Sequence, residues 1–200
     1  MNWLAHLFLS QPDGKHRLGN LFGDLIKGKE RRKLNSCFNE GIRQHLLIDS
    51  FTDCHPIVKL SKQRIDIQHR RYRGVLIDVF YDHFLAINWH LYSSVELKDF
   101  TRNVYRSFIE YWDEIPMFPR IVIFRMMEQD WLGSYYYIAG VETTLKRIKT
   151  KLSQKHHDFF VVESFIGELE NNYDLLNRDF NLFFPEIIKY LNSQQDYRSQ

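Results

Sequence analysis

The stretch Gly74-Val75-Leu76-Ile77-Asp78-Val79-Phe80-Tyr81-Asp82-His83-Phe84-Leu85-Ala86-Ile87-Asn88-Trp89 decides the fold. It opens on β-branched residues, as a buried strand would. It then runs well past ten residues with no turn signal, which assigns it to a buried helix. Asp78 and Asp82 interrupt the apolar run four residues apart and so share one helix face, with His83 next in line. An unpaired buried carboxylate costs several kcal/mol, so each must be hydrogen-bonded, ion-paired or bound to a metal. For a single aspartate, an ion pair with arginine would be the plain explanation.

Outward from this segment the helical spacing continues. With nine glycines and five prolines in 200 residues, the chain has few breakers. The pattern predicts an all-α protein, a single compact multi-helix domain over 1–193 with a frayed tail at 194–200. Helices are predicted over 2–10, 16–27, 38–52 and 56–72. Gln11-Pro12-Asp13-Gly14 turns the chain, and His55-Pro56 restarts it because a residue before proline avoids the α region. Ser93-Ser94-Val95-Glu96 has capping-box form and should start a helix carrying Phe100, Val104, Phe108 and Tyr111 on one face. Pro116-Met117-Phe118-Pro119 reads as a turn, followed by helices over 120–134 and 138–152. A last amphipathic run covers 158–191 and restarts at Pro185.

The acids of the central segment have company. His45 and Asp49 are also four apart, with Asp53 a turn further on. Asp24 sits in Leu21-Phe22-Gly23-Asp24-Leu25-Ile26, and His6 in Leu4-Ala5-His6-Leu7. Four helical segments each place an ionisable group on or near an apolar face, which points to one convergent site. Histidines with several carboxylates suit manganese, iron or zinc, and with more oxygen donors magnesium. Helical bundles build metal sites from facing helices in this way. Asp53 and His55 fall at a helix end, where capping competes with metal binding. Gly19 and Gly23 read as close helix packing, and Met126-Met127 as core. His16, His69, His90, His156 and His157 sit among polar neighbours and are expected on the surface.

Composition narrows the classes. The formal net charge is +2, which excludes a broad nucleic-acid-binding surface. Two basic runs, Lys27-Gly28-Lys29-Glu30-Arg31-Arg32-Lys33 and Arg70-Arg71-Tyr72-Arg73, are either solvated surface or a docking patch for an acidic partner. Cys37 and Cys54 form no metal or redox motif. The apolar N-terminal run is too short to span a bilayer, so a cytoplasmic protein with no membrane partner is expected. Neither a nucleophile elbow nor a phosphate-binding glycine loop occurs.

Asn2-Trp3-Leu4-Ala5-His6-Leu7 and Gly19-Asn20-Leu21-Phe22-Gly23-Asp24-Leu25-Ile26-Lys27-Gly28 resemble the opening of the acyl carrier protein phosphodiesterase family. Gly41-Ile42-Arg43-Gln44-His45-Leu46-Leu47-Ile48-Asp49-Ser50-Phe51-Thr52-Asp53-Cys54-His55-Pro56 and Arg71-Tyr72-Arg73-Gly74 running into the central segment continue the match. Weaker echoes follow at Asp130-Trp131-Leu132 and Phe180–Pro185. The resemblance implies hydrolysis of the phosphodiester between 4′-phosphopantetheine and a serine of acyl carrier protein. It also implies a divalent metal, manganese favoured, and a helical bundle like that of the HD-type phosphohydrolases. The positions matching the family are His6, Asp24, His45, Asp49, Asp53, His55, Asp78, Asp82 and His83. One departure is Leu46-Leu47, where the family usually has arginine after the histidine.

On this reading His6, Asp24, His45, Asp49, Asp78 and Asp82 are metal-ligand candidates. Asp24 is also a catalytic candidate, Asp82 or His83 would act as general base or acid, and Arg71 of the second basic run would steady the phosphate. Two other functions stay open at this point. One is an HD-like phosphohydrolase acting on a nucleotide or other small phosphodiester. The other is a non-catalytic helical adaptor that binds acyl carrier protein.

Overall fold

The segment around Asp78 is the central helix of the protein. In the computed structural model, which describes residues 1–153 and 161–196, every residue from Leu76 to Ala86 except Asp78 is buried. A helix apolar all round has to be enclosed on all sides. In chain order the helices are α1 (Trp3–Phe8), α2 (Gly14–Leu25), α3 (Gly28–Arg31), α4 (Asn39–Cys54), α5 (Pro56–Arg64) and α6 (Arg73–Ile87). They continue as α7 (Leu97–Ile109), α8 (Met117–Glu128), α9 (Trp131–Ser134), α10 (Ile138–Ser153), α11 (Val162–Asn171) and α12 (Tyr173–Asp196). No strand occurs among the described residues, so the protein is all-α. Helices α1, α5, α10 and α12 pack around α6.

Helices α2 and α4 make the most extensive contact of any pair among the described residues, and glycine permits it. A methyl group at Gly19 would run into the carbonyl of Phe38, and one at Gly41 into that of His16. This crossing brings the metal-ligand candidates of α4 over α2. Elsewhere a buried polar network ties three helices together. The Arg64 guanidinium donates to both oxygens of Asp179 at 2.7 and 3.2 Å, and Asp179 also accepts from Ser61, which meets the Tyr81 hydroxyl at 2.8 Å.

Five boundaries differ from the sequence expectation. The helix predicted over 56–72 ends at Arg64, because Ile65 turns extended and the Asp66 carboxylate caps a short 3-10 turn at Gln68. No capping box forms at Ser93, whose hydroxyl engages Val95 instead, and α7 starts at Leu97. The stretch 116–119 is no turn. Pro119 lies in the first turn of α8, where the missing N–H would have no intrahelical partner anyway. The helix predicted over 120–134 breaks in two at Asp130, whose φ of 42° is left-handed. Its carboxylate accepts from the Gly133 amide and the Tyr105 hydroxyl. Finally, Pro185 does not restart the last run. It sits inside α12, held through by Phe180, Phe183, Phe184 and Ile187, all fully buried on either side of it. The break falls at Asn172. The start expected at 158, the surface histidines at 156 and 157, and residues 197–200 of the expected tail lie outside the described residues; α12 itself continues to Asp196.

Candidate active site

Helices α1, α2 and α4 bring His6, Asn20, His45 and Asp49 together. His6 Nε2 lies 3.1 Å from one Asp49 oxygen and His45 Nε2 lies 3.1 Å from the other. The two imidazoles stack at 4.3 Å and 26°. Behind them, Asn20 is fully buried, and its Oδ1 lies 2.9 Å from His6 Nδ1 and 3.2 Å from His45 Nδ1.

A chain of fixed donors sets the protons. The Leu9 carbonyl can only accept, so it orients the Gln44 amide at 2.8 Å. The Gln44 oxygen and the His6 carbonyl then orient the Asn20 amide nitrogen, leaving Asn20 Oδ1 as acceptor. Both histidines therefore carry N–H at Nδ1 and turn Nε2 toward Asp49. With both rings neutral, each Nε2 lone pair faces Asp49, and these contacts are favourable only with a proton on Nε2 or a cation between the groups. Burial first, and then the neighbouring His45, lower the proton affinity of His6. Burial favours the neutral form of Asp49, but hydrogen bonds and charges from His45 and His6 outweigh it and hold its carboxyl well below the usual carboxylate range.

The donor atoms fit a divalent ion. Those of His6, His45 and Asp49 lie within 4.8 Å of one another. Ligands about 2.1 Å from an ion and roughly at right angles stand about 3 Å apart, and the two histidine–Asp49 separations, 3.1 Å to one carboxylate oxygen each, match that spacing. Gly23 makes the room, since a methyl group there would overlap the His45 ring. Asn20 is the outer-shell partner of both rings, and the sequence reading passed over it. The available signal was a polar residue four before Asp24 in the apolar run Leu18–Phe22. Asn20→Ala should weaken any divalent-metal binding at this site by about 10- to 100-fold. Metal titration followed by calorimetry checks this.

The site opens into a cavity of about 570 Å³. Asp24, Asp53 and Asp78 line it together with His6, His45 and Asp49. The Asp24 carboxylate accepts from Trp3 Nε1 at 3.1 Å, and that of Asp78 from the Met1 amino group at 2.9 Å. Asp53 is exposed and paired with Lys62 at 2.9 Å. The guanidinium at this cavity comes from Arg147 of α10, which no sequence signal singled out. It is half-buried and lies 4.0 Å from the centroid of the Trp131 ring, which in turn stacks on Trp3 at 5.7 Å and 9°. It donates a hydrogen bond to Gln129 Oε1 at 3.1 Å.

Three residues predicted for the site are placed elsewhere. Asp82 is fully buried, and its oxygens accept the backbone N–H groups of Asn2, Leu4 and Ala5 at 3.2, 2.7 and 3.2 Å. It therefore caps α1 and does not line the cavity. His83 points the other way: Nδ1 donates to the Tyr135 carbonyl at 2.7 Å and Nε2 accepts from the Tyr173 hydroxyl at 2.9 Å. Burial lowers its proton affinity, so it is a neutral strut between helices. Arg71 is exposed and off the cavity. His55, left open between two roles, caps α5 by accepting from the Ile57 amide and is held by Glu186 at 3.1 Å. Of the expected surface histidines, His90 is exposed, whereas His16 is buried and His69 is half-buried against Ser164 at 2.7 Å.

Comparison with known proteins bears on what this arrangement acts upon. Residues 1–187 match the family model described as acyl carrier protein phosphodiesterase. Proteins of that name from Photorhabdus laumondii and Yersinia pestis are each 28% identical to this chain. The alignments cover 98% of this chain, with 98% of the Photorhabdus protein and 100% of the Yersinia one. One from Serratia proteamaculans is 27% identical over 98% of this chain and its own full length. No solved structure matches the chain.

Proposed function

The chain belongs to the acyl carrier protein phosphodiesterase family, and on that premise we propose that it hydrolyses the phosphodiester between 4′-phosphopantetheine and the serine of acyl carrier protein. The observation that supports this most is the convergence of His6, His45 and Asp49 on a cavity that also holds Asp24, Asp78 and Arg147. A divalent metal belongs to this reading, with manganese the first choice and His6, His45 and Asp49 as its holders. When bound, such an ion acidifies water and polarises a phosphoryl oxygen.

The chain's own groups do the rest. Asn20 fixes both rings, so no reorientation is needed at the moment of reaction. Asp24, held by the Trp3 indole, is the carboxylate best placed to move a proton. Arg147 neutralises the diester among four aspartates, its plane braced on Trp131. This replaces the role foreseen for Arg71. Arg147→Ala is expected to lower kcat/KM by about 100-fold and Arg147→Lys by about tenfold, since lysine keeps the charge but loses the fork. Wild-type rates in Arg147→Ala would remove the residue from phosphate binding.

The reading also places the protein in the cytoplasm and in fatty-acid metabolism, with an HD-phosphohydrolase-like bundle as its architecture. No described helix is long and apolar enough to cross a membrane. Incubating the protein with holo-acyl carrier protein and Mn²⁺ should remove the phosphopantetheine mass, and EDTA should abolish the loss. A folded, metal-loaded preparation that releases nothing rejects the function. A bound metal would then favour a small phosphodiester substrate, and no bound metal a non-catalytic adaptor.

A further inference from the structure

Helix α8 has a surface that the fold does not use. Met117, Phe118, Ile121 and Phe124 are 70, 61, 47 and 54% exposed, and their spacing puts them on one continuous arc of the helix. Large apolar side chains gathered on one exposed helix face mark an interaction surface. The arc is continuous with the cavity, because Phe118 and its neighbour Val122 line it. The same cavity is bordered by Lys27, the first residue of the basic run. Within that run Lys33 pairs with Glu30, and Arg31 is spent on the carbonyls of Gly23 and Ile26. Lys27, Lys29 and Arg32 are exposed and form no ion pair among the described residues.

We propose that the apolar arc of α8 and these three cations together form the docking surface for the acyl carrier protein, a surface that rests on the function proposed above. An occupant of α8 sits at the cavity mouth. A lipid surface or a second copy of this chain would close that mouth, whereas a protein substrate has to be there to deliver its modified serine. The carrier protein is strongly acidic, which suits the uncompensated cations. Phe118 belongs to both the docking arc and the cavity, so it would meet the carrier where its prosthetic arm enters.

The test is the double variant Ile121→Ser/Phe124→Ser, whose positions are exposed and outside the cavity. Its KM for holo-acyl carrier protein should rise at least tenfold, with kcat within twofold of wild type and an unchanged circular dichroism spectrum. Its Kd for apo-acyl carrier protein should rise in parallel. Lys29→Glu/Arg32→Glu should raise both constants too, and provides a second route if the serine variant folds poorly. Unchanged KM and Kd in both variants overturn the proposal. So does a wild-type dimer that the serine variant makes monomeric with unaltered KM, or wild-type flotation on phosphatidylglycerol vesicles that the variant loses with unaltered KM. If wild type binds the apo-carrier but never cleaves the holo form, the function fails while the Kd comparison still decides the docking surface; absence of binding overturns it.

Discussion

Asp49→Ala is expected to lower kcat/KM for holo-acyl carrier protein by at least about 10³-fold, equivalent to about 4 kcal/mol of transition-state stabilisation. Asp49 contacts both stacked histidines, one through each carboxylate oxygen. Without it, only the two histidine nitrogens of the cluster would remain to hold the proposed divalent ion. Asp49→Asn separates charge from shape, because the amide fills the same space and carries no charge. It should be nearly as inactive as the alanine variant. Side-chain exposure of 43% makes a folding defect from either change small. Far-UV circular dichroism should therefore match wild type, and elemental analysis after dialysis should show the metal gone. More than about a tenth of wild-type activity in Asp49→Asn would remove Asp49 from the metal-ligand set.

That pair was legible in the sequence because its information is local. His45 and Asp49 are one helical turn apart, so periodicity alone puts them on one face. The same logic identified α6, whose length outweighed its β-branched start. His6 and Asp24 were readable as polar interruptions of apolar runs. What failed depended on where separate helices meet. Nothing near residue 147 distinguishes Arg147 from any cation on an amphipathic helix; it matters because α10 lies beside α6 and the short α9 brings Trp131 against it. Pro185 was misread because its local cost is real, but buried rings on both sides of it carry the helix through. Asp130 turns the chain without glycine because its own carboxylate bonds the amide three residues on. Asp82 was singled out as a costly residue, and the partners the fold gives it are backbone amides, since a buried carboxylate can be satisfied by backbone as well as by metal.

Asp82→Ala accordingly should destabilise the metal-free protein, by about 3–5 kcal/mol, or about 10 °C in melting temperature for a chain of this size. The carboxylate satisfies three amides at the start of α1, two of them buried, and alanine would leave them without acceptors. A metal ligand behaves in the opposite way. Removing one carboxylate from a cavity crowded with aspartates would leave the metal-free protein as stable as before, or more so. Melting in EDTA therefore separates the two roles without an activity assay. The pH dependence adds a second signature. Burial pushes the Asp82 pKa from its ordinary 3.8 up to about 7, against the pull of the Met1 amino group and the backbone donors. The native state thus holds this proton more tightly than the unfolded chain does. Its contribution is complete below pH 3.8 and is lost as pH rises through 7. The gap between wild type and Asp82→Ala should therefore narrow steadily as pH rises from about 5 to about 8. Because α1 also carries Trp3 and His6, the variant should lose metal affinity as well, but only as a consequence of a loosened helix. Stabilising the fold with an osmolyte should then recover part of the affinity. A variant that melts like wild type in EDTA, yet binds no metal, would make Asp82 a ligand after all.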